Sequence, residues 1–143
     1  MMVLSVVTPG VASAEANCGG AGTVVSANYV KNRTTGTEVG AIQLCRDGNG
    51  YYFAWLQLYY TMSTGQYANA FLRAWPDATT GTEYLQSPDR CDNGGSGKII
   101  APDRECNTAH VYYTDPSATY RADGYVYASS GAIIAAGATA RTR

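Results

Sequence analysis

His110 is the one histidine in the chain, and any acid–base chemistry at neutral pH would centre on it. An imidazole can take and return a proton when a carboxylate orients it. Asp103, Asp115 and Asp123 are the acids that could serve. The default for a histidine near the start of a strand is structural, and catalysis is not the expectation for His110. No G-x-S-x-G elbow occurs, and the cysteines are expected to be paired, so the usual nucleophiles are missing. Two carboxylates could in principle form a glycosidase pair. Nearly all the acids fall in predicted turns, however, where solvation is their default.

Cys18, Cys45, Cys91 and Cys106 are even in number and widely spaced, with no C-x-x-C among them. Zinc and thioredoxin-type chemistry fit poorly, and a disulfide framework fits well. We expect Cys18–Cys45 and Cys91–Cys106, which join neighbours along the chain. The second pair would clamp a loop carrying Asp89, Asp92, Asn93, Asp103 and Glu105. Oxygen ligands on a short loop are what calcium uses, but the EF-hand spacing is absent. A solvated acidic loop, with Arg90, Lys98 and Arg104 to pair with the acids, is expected there, and no cofactor.

The stretch from Gln43 to Trp75 holds both tryptophans and both phenylalanines. It reads as strand, turn, strand, turn, strand. If Arg46 pairs with Tyr51 and Thr61 with Gln66, one face collects Ile42, Leu44, Phe53, Trp55, Tyr59, Ala68, Ala70, Leu72 and Ala74. That face is the expected core, with large residues meeting alanines. The opposite face collects Gln43, Cys45, Tyr52, Leu56, Leu58, Tyr60, Tyr67, Asn69, Phe71, Arg73 and Trp75. Tyrosine, tryptophan, arginine and amides suit a binding surface, since they offer flat apolar area with a polar tip. Tyr52, Arg73 and Trp75 would sit at one end of it. Gln43, Tyr67 and Asn69 complete the candidate ligand-binding set.

The elements that must hold these residues are short. Strands are expected at 23–30, 37–46, 51–61, 67–75, 81–86, 98–101, 109–114, 120–128 and 132–139, with turns of Gly, Asn, Asp and Pro between them. Asp47-Gly48-Asn49-Gly50 is the strongest hairpin signal, because these residues tolerate positive φ. No stretch of ten residues shows clear helical periodicity. The pattern predicts an all-β fold, an antiparallel β-sandwich or partly open barrel of seven to nine strands with two disulfides.

Residues 1–14 read as a leader: an apolar run, then Ala12-Ser13-Ala14 as a signal-peptidase site. Its positive n-region is missing, so the reading frame is expected to start upstream. Residues 15–143 form the single expected domain. The chain is 45% hydrophobic and 15% charged, with a formal net charge of −1, which suits a folded core. Without a basic excess, neither nucleic acid nor anionic lipid is an expected partner. After leader cleavage no membrane insertion is expected, and the chain is expected to be monomeric.

The Ala-x-Ala-ending leader, Gly40-Ala41-Ile42-Gln43-Leu44-Cys45-Arg46-Asp47 before an aromatic strand, Tyr67-Ala68-Asn69-Ala70 and the closing Gly137-Ala138-Thr139-Ala140-Arg141-Thr142-Arg143 together resemble the small secreted, cysteine-paired β proteins of streptomycetes and related actinobacteria. The resemblance implies membership and export but no activity. The sequence reading is then an extracellular, non-enzymatic binding module that meets a glycan, the cell envelope or a protein through the Tyr52/Arg73/Trp75 surface. An inhibitor or toxin-like effector using the 91–106 loop is the alternative, and a small hydrolase the second.

Overall fold

The computed structural model describes residues 17–76, 84–91 and 97–143. The expected leader lies outside them, as does Asp92 of the acidic loop. A short 3-10 turn at Asn17–Gly20 precedes eight strands. These are β1 (Thr23–Asn32), β2 (Glu38–Arg46), β3 (Tyr52–Leu58), β4 (Tyr67–Trp75), β5 (Tyr84–Arg90), β6 (Glu105–Asn107), β7 (Thr119–Tyr127) and β8 (Ile133–Ala138). They form one sheet in the order β5-β4-β7-β8-β1-β2-β3-β6. Every pairing in it is antiparallel.

The sheet curls until its two edges meet. Ala68 of β4 bridges to Ile99, and Cys91, just past β5, is bonded to Cys106 of β6. The result is a nearly closed barrel, which leaves little unpaired strand edge. Two register shifts in β1, at Val24/Ser26 and Val30/Lys31, let that long strand bend with the curl.

The interior is built from two unequal walls. β2 and β3 contribute Ile42, Leu44, Tyr52, Ala54, Leu56 and Leu58; β4 and β7 contribute Ala68, Ala70, Leu72, Ala74, Tyr120, Ala122 and Val126. Large side chains of one wall thus fill the space left by small ones of the other. Each enclosed Leu or Ile contributes roughly 1.5–3 kcal/mol relative to exposure. Tyr52 lies flat on Tyr120 across this interior, with ring centroids 4.0 Å apart.

A second, smaller cluster lies on the outside of β2 and β3. Phe53 and Trp55 pack there with the Cys18–Cys45 disulfide under the N-terminal turn. Both expected disulfides are present, which points to an oxidising compartment. Among the described residues no helix is long and apolar enough to cross a membrane.

The all-β class is as expected, but the face assignment needs correction. Arg46 pairs with Tyr52 and not with Tyr51. A one-residue slip turns every side chain of a strand over. Tyr52, Leu56 and Leu58 therefore point into the core, while Phe53 and Trp55 point out. β4 keeps its expected inner face of Ala68, Ala70, Leu72 and Ala74. It does not pair with β3, however; its neighbours are β5 and β7. The expected strands at 98–101 and 109–114 shrink to single bridges at Ile99 and Val111, and β6 forms inside a region read as loop. The strand expected at 81–86 overlaps β5, which runs on to Arg90; residues 81–83 lie outside the described residues.

Candidate functional site

Asp47 opens the turn after β2. Its Oδ1 accepts the backbone N–H groups of Asn49 at 2.8 Å and Tyr51 at 3.0 Å. Those two bonds are the reason Asp belongs at this position, since a short carboxylate can close the turn on its own backbone. They also aim Oδ2 outward, where it lies 2.6 Å from Nδ1 of His110.

His110 is placed just as firmly. On one side, Val111 and Tyr52 exchange both backbone hydrogen bonds at 2.8 Å. On the other, Thr108 N–H donates to the Ala54 carbonyl at 3.0 Å, and its Oγ1 accepts from Ala54 N–H at 2.9 Å. The segment 108–111 is thereby stitched to β3 at both ends. The imidazole lies flat on Phe53, with centroids 4.1 Å apart and planes 6° apart. One step along the same face, Tyr51 stacks on Tyr112 at 5.4 Å, and both rings are exposed.

Burial pushes the Asp47 carboxyl upward. The hydrogen bonds from His110 and from the N–H groups of Tyr51 and Asn49 outweigh that and hold it below its ordinary value. Asp47 is thus a carboxylate at neutral pH, and it fixes a proton on Nδ1 of the ring. A neutral imidazole held this way presents Nε2 as a base. Among the described residues no cysteine is free, so a thiol nucleophile is not available there. No group of three His, Cys, Asp or Glu side chains that could hold a metal occurs among them either.

The outer face of β4 and β7 forms a different constellation. Asp123 is buried there between two arginines. Arg73 Nε donates to it at 2.7 Å, Arg121 Nε at 2.8 Å, and Tyr125 OH at 3.2 Å. The hydrogen bond to Asp123 holds the Arg121 pKa above its ordinary value. Arg121 and Arg141 both lie over the Trp75 indole, Arg141 at 4.0 Å from its centroid. Tyr67 stacks on Tyr127 at 4.8 Å, with Lys98 above it.

The expected ligand set is dispersed by this arrangement. Tyr52 is 2% exposed inside the barrel, away from the outer face that carries Arg73 and Trp75. Trp75 is 7% exposed beneath its two arginines. Gln43 is anchored under the N-terminal turn, accepting from Cys18 N–H at 2.8 Å and donating to Asn17 at 3.0 Å. Asn69 is a buried strut that donates to the Gly97 carbonyl and accepts from Cys91 N–H at 3.2 Å. Of the set, Tyr67, Asn69, Arg73 and Trp75 lie along the outer face of β4, with Asn69 buried among its own partners, and the rest of that face comes from β7, which alternation within 43–75 could not supply.

His110 does meet an acid, but it is Asp47 rather than Asp103, Asp115 or Asp123. Asp123 is committed to arginines instead. The signal for this pair is the leading Asp of the Asp47-Gly48-Asn49-Gly50 turn, whose carboxylate both shapes the turn and reaches His110.

No protein-family model matches this chain, and no curated protein matches it. Among solved structures, it is similar to one titled an endonuclease/exonuclease/phosphatase from Beutenbergia cavernae, at 20% identity and a TM-score of 0.41. The match covers 83% of this chain and spans 28% of the length of that protein. The expectation of a non-enzymatic binding module is corrected. The surface that carried it does not exist as drawn, since Tyr52 is enclosed and Trp75 is covered.

Proposed function

We propose that this chain is a small exported hydrolase in which His110, oriented by Asp47, acts as general base on water. The observation that carries the reading is the 2.6 Å contact between Asp47 Oδ2 and His110 Nδ1. Nε2 takes a proton from water as the oxygen attacks the substrate. The bond to the leaving group breaks, and the same nitrogen returns the proton to that group. Asp47 holds the ring in one tautomer and stabilises the imidazolium between the two transfers. The exposed Tyr51–Tyr112 stack beside the dyad offers a flat wall for the ring or sugar face of a substrate. Export is supported by the two disulfides.

The test is a panel of chromogenic carboxylic esters, phosphate esters and glycosides, assayed with the wild type and with His110→Gln and Asp47→Asn. General-base catalysis contributes about a hundredfold to ten-thousandfold. Both variants should therefore lose at least about a hundredfold in kcat/KM on any substrate the wild type turns over. Equal turnover by wild type and His110→Gln, or no turnover of any class, would sink the proposal.

A further inference from the structure

The geometry points to a binding face for single-stranded nucleic acid on the outside of β4 and β7, independent of the Asp47–His110 pair. The formal net charge of −1 conceals how charge is segregated. On this face Arg73 and Arg121 hold one buried carboxylate, Asp123, and Arg141 lies over Trp75, beside the rings of Phe71, Tyr125, Tyr127 and Tyr67. Arginines interleaved with aromatic rings along a strand pair are what a sequence-tolerant single-strand site uses: cations follow the phosphates, and bases stack on the rings. Residues two apart on a strand lie about 6.8 Å from one another. An extended, unstacked strand can therefore place successive bases on successive rings.

Arg141 is the most telling member. Its guanidinium lies 4.0 Å from the Trp75 ring centroid, and its Nε donates to Thr119 Oγ1 at 2.8 Å. Among the described residues, its two terminal amino groups have no hydrogen-bond partner and no carboxylate faces them. A planar fork fixed at its base and open at its tip suits a phosphate, which it can grip with two parallel hydrogen bonds. Tyr125 and Tyr127 are half-buried, so each keeps ring surface open to solvent while its root is held. A duplex keeps its bases stacked inside and would forgo those rings.

The experiment is fluorescence anisotropy with a labelled oligothymidine of about twenty nucleotides. A duplex of the same length and inorganic polyphosphate serve as competitors. Wild type should bind the single strand, lose affinity steeply between about 50 and 200 mM salt, and be displaced poorly by either competitor. Arg141→Ala should weaken binding about tenfold and lower the salt slope by about one unit. Tyr127→Leu should weaken it about tenfold while leaving the salt slope unchanged. Circular dichroism would verify that each variant is folded. Should a variant not fold, the wild-type competition still decides. No binding at low salt, or displacement by polyphosphate or duplex as effective as by unlabelled single strand, overturns the inference.

Discussion

Asp47 divides its two carboxylate oxygens between two tasks. Oδ1 closes its own turn on Asn49 and Tyr51, and Oδ2 meets His110 at 2.6 Å. One side chain thus ties the β2–β3 turn to the segment that follows β6.

That arrangement has a consequence for acid stability. The Asp47 carboxyl titrates below its ordinary 3.8 in the folded chain. Its contribution is therefore fully present above that value and is lost as pH falls through the lower folded one. Asp47→Asn should be less stable than wild type at neutral pH, and the gap should narrow on acidification below about pH 4. Urea midpoints measured across that range would check it. A gap that stays constant with pH would remove Asp47 as the titrating group.

Gly137 and Gly124 face each other across the β7–β8 pair, yet they should respond differently to Ala. A Cβ at Gly137 would lie 2.1 Å from the Tyr29 carbonyl oxygen, which is backbone and cannot yield without displacing β1. At Gly124 the nearest atoms are the side-chain ends of Leu56, Ile42 and Val30, at 3.1 to 3.3 Å. Gly137→Ala should cost at least about 3 kcal/mol, at the upper end of overpacking effects, and Gly124→Ala nearer 1 kcal/mol. Chemical denaturation of both variants tests the order, and the reverse order would show that β1 gives way more easily than the packed interior.

The Cys91–Cys106 bond closes a 15-residue separation and joins the two edges of the curled sheet. Loop entropy alone assigns such a closure about 3 kcal/mol. Replacing both cysteines with Ala should lower stability by about that amount. It should also raise the rate of amide hydrogen exchange in β5 and β6 before that in β1 and β2. An unchanged denaturation midpoint would mean that the barrel closes without the bond.

Much of this fold was legible in the order of residues. Val, Ile and Tyr alternation between Gly, Asn and Asp turns predicted strands, and β4 begins and ends where the pattern placed it. The inward row of Ala68, Ala70, Leu72 and Ala74 was readable because only one face of that strand is small and apolar. β3 was not readable in this way. All seven of its residues are buried, so neither face was marked by polarity and the register rested on one turn. The face that carries Arg73 and Trp75 was only half visible, because its other half comes from β7, some fifty residues away.

By itself, then, the sequence determined an all-β chain and the positions of most strands. These depend on local conformational preference and on the polarity of short stretches. Tertiary structure alone decided that Tyr52 stacks on Tyr120 in the interior, that His110 reaches Asp47, and that two arginines cover Trp75. Each of those contacts joins distant segments through strand order and register. A one-residue shift leaves the local pattern nearly unchanged yet turns the whole strand over.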